Sequence, residues 1–178
     1  SRLRDRSGVT TEITLALPGR ANLANAAMAL TVATVLGADP VRALAAMTEL
    51  TEVVGRYATV PVGGQEARLL LAKNPAGWLE VFDFLRPAPL PVVVAINARI
   101  ADGRDPSWLW DVPFERLRGR LVVATGERSR DLAVRLRYAE VEHVHEPDLL
   151  RAVAAAPAAS VDVVANYTSF QQMRARFA

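Results

Sequence analysis

Cysteine is absent from this 178-residue chain. That absence removes disulfides, thiolate nucleophiles and cysteine-bound zinc together. Histidine is limited to two residues, His143 and His145, so a zinc site would need carboxylates, and no suitable spacing is apparent. No apolar run approaches the roughly 18 residues that span a bilayer, and no charged-then-apolar leader opens the chain. Neither membrane insertion nor secretion is expected. The G-x-S-x-G nucleophile elbow and the G-x-x-x-x-G-K phosphate loop are both missing, so the chain lacks the parts of a self-sufficient hydrolase or ATPase.

Lysine is almost absent as well. Of the 21 basic side chains only Lys73 is a lysine, and the other 20 are arginines. Where a cation merely had to be present this chain uses Arg, so Lys73 marks a place where a guanidinium does not substitute. The arginines are scattered among 19 acidic residues and the formal charge is +2, which argues against a nucleic-acid footprint. A hydrophobic fraction of 51% suits a folded globule rather than a disordered chain.

Periodicity and punctuation divide the chain. Alternation over residues 11–17 predicts a strand, 21–36 a small-residue helix stopped by Gly37, and Asp39-Pro40 caps a second helix to about Leu50. One strand and two helices cannot close a core, so residues 1–54 are expected to be the end of a larger domain. From Tyr57 the pattern changes. A hairpin over 57–72 turns at Gly63-Gly64, and Asn74-Pro75 starts a helix to about Leu85. Strands are then expected at 92–97, 121–125, 143–145 and 161–166, and helices at 114–117, 130–139, 148–155 and 169–177. Continuously apolar strands alternating with helices predict an α/β fold, a Rossmann-like and mostly parallel sheet covered on both faces, over residues 55–178.

Ligands of parallel sheets collect at the carboxyl ends of the strands. Those ends carry Lys73-Asn74, Asn97 to Asp105, Thr125-Gly126-Glu127 and Asn166 to Ser169. Asn74, Ser129 and Thr168 are also explained by helix capping alone. Lys73, delivered by a strand to a helix start, suits a phosphate or carboxylate. The segment NARIADGRDPSWLWD over 97–111 is long for a compact domain, which marks it as functional. It sets Asp102, Asp105 and Asp111 beside Trp108 and Trp110. An Asp there can ligate metal, act as a base or orient a histidine, although a calcium loop is disfavoured by the oxygen spacing. The two tryptophans suggest a partner surface.

The residues also carry a resemblance. LPGRANLANAAMAL resembles the helix that ends the central ATP-binding domain of the Mur ligases, and VVGRYATV with LLLAKNPAG resembles the start of their C-terminal domain. In ordinary members the latter motif is of an Asp-Tyr-Ala-His-Asn-Pro type, whereas here Leu70, Leu71 and Lys73 replace its Asp, Tyr and His. That replacement, with VVVAINARIADGRDPSWLWDVPFERL and VVANYTSFQQM, is similar to the MurT branch, a subunit of lipid II isoglutaminyl synthase. The resemblance implies ATP- and Mg2+-dependent amidation of the D-glutamate α-carboxyl of lipid II to D-isoglutamine, with zinc in the full-length family but no zinc site in this chain. It implies ammonia from a GatD-type glutaminase partner and a cytoplasmic enzyme acting at the inner face of the membrane. Asp105 resembles the catalytic carboxylate that orients the partner's histidine, with Trp108 and Trp110 as interface anchors. Asn22 and Asn25 resemble adenine contacts, Arg56 the hinge arginine, and Lys73 and Asn74 residues facing nucleotide or substrate. The alternatives are a docking module without a catalytic group, and a ligase that adds an amino acid.

Overall fold

The computed structural model describes residues 2–4, 8, 10–17, 19–50, 57–83 and 85–177. They fall into two compact units, Ser1–Val53 and Val54–Ala178. Arg56 lies outside the described residues.

The first unit holds an antiparallel pair, β1 (Arg2–Arg4) and β2 (Thr10–Glu12), and two helices, α1 (Arg20–Val35) and α2 (Pro40–Thr48). The strand expected over 11–17 is thus shorter and shifted, and its partner at 2–4 was not anticipated. The start of α2 follows the capping logic. The Asp39 carboxylate accepts the Arg42 N–H at 2.9 Å, and Pro40, which has no N–H to leave unpaired, takes the first helical position.

The second unit is a six-stranded sheet in the order β3-β4-β8-β5-β6-β7. Its strands are β3 (Tyr57–Val62), β4 (Gln65–Leu71), β5 (Val92–Ala95), β6 (Val122–Thr125), β7 (His143–His145) and β8 (Ser160–Ala165). Only the β3/β4 hairpin is antiparallel, and every other pairing is parallel. The helices are α3 (Pro75–Phe82), α4 (Ser129–Tyr138), α5 (Leu149–Ala155) and α6 (Tyr167–Phe177). Three 3-10 turns, Ile100–Asp102, Ser107–Asp111 and Phe114–Leu117, occupy the stretch between β5 and β6. The mostly parallel α/β sheet is the one the alternating pattern implies.

Strand alternation divides the core into two layers. Val92, Val94 and Ile96 face Trp78, Phe114, Leu132 and Leu136, while Val93 and Ala95 face Ala152, Val153, Phe170 and Met173. All four residues of β5 and of β6 are buried, which is why these strands are apolar without interruption. The connections after β4, β5 and β6 therefore cover one face, and α5 and α6 cover the other. Strand β8 sends its chain to the face opposite that used by both of its neighbours, β4 and β5, so the connections diverge at its carboxyl end.

At the opposite end of the sheet sits a buried ion cluster. Asp162 is 1% exposed and accepts both Nε and Nη2 of Arg68, at 2.7 and 2.8 Å, and the Arg86 backbone N–H at 2.7 Å. Burial pushes the Arg68 pKa down, but the hydrogen bond and charge of Asp162 outweigh it, and the net shift is upward.

Candidate functional site

The carboxyl ends of β5 and β8 are closed by the chain's own amides. Asn97 and Asn166, each the residue after its strand's last buried apolar positions, bond reciprocally. Asn97 N–H donates to Asn166 Oδ1 at 3.2 Å, and Asn166 Nδ2 donates to the Asn97 carbonyl at 2.7 Å. The Asn97 side chain donates to Ser169 Oγ at 2.7 Å and accepts the Glu127 N–H at 2.9 Å. Asn97, Asn166 and Ser169 are all buried. The side-chain oxygen and nitrogen of both Asn97 and Asn166 have partners within the chain, so the clasp ties the strand ends together.

Gly126 makes that closure possible. Its φ is +90°, and a Cβ there would stand 2.6 Å from the Ile96 carbonyl oxygen and 3.0 Å from Asn97 Oδ1. Both the backbone conformation and the close approach exclude a side chain. Gly126→Ala is expected to destabilise the fold by about 1–3 kcal/mol, read as a lowered midpoint of urea unfolding.

A cleft of about 640 Å³ opens beside the clasp, lined by Arg99, Glu127, Leu149, Ser169, Gln172 and Arg176 among others. Arg99 and Glu127 pair across it at 2.6 Å, and the Arg99 hydrogen bond holds the Glu127 carboxyl below the usual range. Arg99 and Glu127 thus neutralise each other, while Asp148 and Arg176 also line the cleft.

The segment after Asn97 leaves this edge, and its shape follows from two anchors. On the near side, buried Asp102 accepts the Thr168 N–H at 2.7 Å. Its carboxylate takes up a donor from the first turn of α6, a position that favours negative charge. On the far side, Leu109 and Val112 are buried and Trp108 packs against the core. The stretch between is exposed from Gly103 through Asp105. Asp105 itself is exposed and accepts the Ser107 N–H at 2.9 Å, closing a two-residue Asx turn into the 3-10 turn. That N–H first, and the Ser107 hydroxyl second, hold its carboxyl below the ordinary range. At neutral pH the group is an ionised, outward-facing acceptor. One oxygen is used by Ser107, and lone pairs remain for an incoming donor.

The two tryptophans separate. Trp108 is half-buried against the core, so it braces the loop from beneath. Trp110 is 54% exposed. It stands edge-on to exposed Tyr138 at 5.3 Å, with the buried Arg135 guanidinium 5.8 Å from its ring. Val134, also exposed, lines a small hollow beside it.

The other candidate residues divide between the two units. Lys73 is exposed and makes no ion pair with any described residue. Asn74 Oδ1 accepts the Gly77 N–H at 2.8 Å, so this acceptor serves as the cap of α3. Asn22 is half-buried and Asn25 exposed, both on α1 of the first unit. Ser129 is not a cap but the first residue of α4, and its hydroxyl pairs with His145 Nε2 at 2.9 Å. His143 Nδ1–H donates to the Val141 carbonyl at 2.8 Å. Among the described residues no group of three or more His, Asp or Glu is placed to hold a metal, and no helix is long and apolar enough to cross a membrane. The donor set therefore does not fit zinc.

Residues 71–170 match the family model described as MurT ligase C-terminal. The MurT subunit of lipid II isoglutaminyl synthase (glutamine-hydrolyzing) from Streptococcus pneumoniae is 35% identical over 131 residues, 71% of this chain and 29% of that protein. Its counterpart from Staphylococcus aureus is 35% identical over 167 residues, 88% of this chain and 38% of that protein. The chain thus spans well under half the length of these relatives. Among solved structures, a pseudomurein peptide ligase type C from Methanothermus fervidus superposes with a TM-score of 0.70 at 14% identity, covering 94% of this chain and 37% of that one. MurF from Acinetobacter baumannii gives 0.64 at 16% identity, covering 98% and 40%. At such identities these two likenesses concern the fold alone. The sequence match over more than half its length places the chain in the MurT ligase C-terminal family.

Proposed function

We propose that this chain is part of an ATP-dependent amidotransferase that converts the D-glutamate α-carboxyl of lipid II to D-isoglutamine, and that its Asp105 completes the Cys-His site of a separate GatD-type glutaminase. The carrying observation is the pose of Asp105, an ionised carboxylate facing outward from a loop braced at both ends, in a chain of the MurT ligase C-terminal family. An orienting carboxylate needs only to accept an imidazole Nδ1–H and stabilise the imidazolium. It can therefore act across a subunit boundary when its own loop is rigid. In this reading residues 1–54 end the central ATP-binding domain and residues 55–178 form the C-terminal domain. ATP with Mg2+ activates the carboxyl, at a site toward which Asn22, Asn25, Arg56, Lys73 and Asn74 contribute. The family's zinc lies outside this chain, and the enzyme works in the cytoplasm at the inner face of the membrane.

The test is reconstitution of the full-length subunit with its glutaminase, lipid II, ATP and glutamine. Mass spectrometry of the stem peptide should show carboxyl replaced by carboxamide. A stem peptide lengthened by an amino acid would instead establish a peptide-extending ligase. A second reading, a docking module without a catalytic group, is favoured by the exposed Trp110. Under it Trp110→Ala abolishes assembly while Asp105→Asn is silent.

A further inference from the structure

The ionised acceptor at Asp105 has little of its own to fix its position. Its described hydrogen bonds are local, both from Ser107 two residues on. Of the two anchors that flank it, the one nearer the sheet edge is the turn that precedes it. Asp102 is buried, and its backbone N–H closes the turn on the Arg99 carbonyl at 3.0 Å. One carboxylate oxygen accepts the Thr168 N–H at 2.7 Å across 66 residues of sequence, and the other lies 3.4 Å from the Arg99 N–H. After Asp102, Gly103 turns the chain at φ +86° and the exposed stretch begins.

We propose that Asp102 is the positioning residue for Asp105, latching the loop's inner turn to the first turn of α6 so that the outer carboxylate is presented at a fixed place. This rests on the reading of Asp105 as the carboxylate lent to a partner's histidine. The physical reason is one of tolerance. An orienting hydrogen bond works only within a few tenths of an ångström and ten to twenty degrees, and three residues of exposed chain cannot hold that without a fixed base. A charged acceptor on a helix-terminal N–H is among the stronger ways to fix one. The carboxylate also removes an otherwise orphaned donor from α6, so loop and helix are settled together.

The test uses full-length subunit assembled with its glutaminase partner, comparing Asp102→Ala, Asp102→Asn, Asp105→Asn and the double variant Asp102→Ala/Asp105→Asn. Asp102→Ala is expected to lower kcat for glutamine hydrolysis at least tenfold while the glutamine KM changes less than threefold. It should shift the imidazole limb of the pH profile in the same direction as Asp105→Asn. Asp102→Asn, whose amide oxygen still accepts the Thr168 N–H, should recover most of the rate. The double variant should be no slower than Asp105→Asn alone, because two residues acting through one group are not additive. If Asp102→Ala melts below the assay temperature, Asp102→Ser, whose side chain is shorter but polar, takes its place. Additive losses, or a lowered melting temperature with kcat and pH profile unchanged, would overturn the positioning role while leaving Asp105 in place. A silent Asp105→Asn would remove both.

Discussion

Asp105→Asn should leave this domain folded and its partner bound, yet reduce glutamine hydrolysis in the assembled complex by a hundredfold or more. The amide oxygen of Asn still accepts the Ser107 N–H that shapes the turn, and the residue is exposed, so the melting temperature and subunit affinity should hardly move. The charge is what is lost. An imidazole facing a neutral amide is no longer held in one tautomer, and its protonated form loses a stabilising neighbour. In serine proteases the equivalent exchange costs on the order of 10⁴ in kcat, an upper bound here. The imidazole's pKa should fall, so the limb of the pH–rate profile that it sets moves to lower pH. Steady-state hydrolysis measured across pH in the complex checks both effects, and near-normal turnover would refute the trans carboxylate.

The largest stability effect is expected far from that loop, at Asp162. This carboxylate is 1% exposed and gathers the Arg68 guanidinium and both the backbone and side chain of Arg86. Removing one partner of a buried pair leaves an uncompensated charge, which typically costs about 3–5 kcal/mol. Because the Arg68 side chain keeps 16% of its exposure, Asp162→Ala is expected near the lower end, about 3 kcal/mol. The Arg86 N–H, deprived of its acceptor, adds to the loss. Asp162→Asn retains acceptor oxygen and should cost less. Equilibrium urea unfolding of the three proteins orders them, and equal midpoints would show that solvent replaces the carboxylate.

Local chemistry made much of this fold legible. Asp39-Pro40 and Asn74-Pro75 announce helix starts because a cap and a missing N–H act within one turn, and both helices begin there. The unbroken apolar runs announce strands buried on two faces. The strand order was not legible. The last strand inserts between β4 and β5, where its Asp162 meets Arg68 of β4, a pairing across 94 residues that local spacing does not indicate. The expectations for Ser129 and Thr168 missed for a related reason. Ser129 answers to His145 and the Thr168 N–H to Asp102, partners that local spacing does not indicate. The exposure of Asp105 was legible because an Asp between Gly and Pro in a polar loop turns toward solvent, whereas the contact of Asp102 with the Thr168 N–H was not. Trp108 was only half legible, since a near neighbour of an exposed Trp110 turned out to brace the core.

The Asp102 contact also leaves a signature. Amide protons in the opening turn of a helix ordinarily trade with solvent freely, because nothing in the helix accepts them. That of Thr168 is sealed by a carboxylate, so its deuterium uptake becomes a clock for how often the Asp105 loop lifts off, readable in the free subunit with no substrate present.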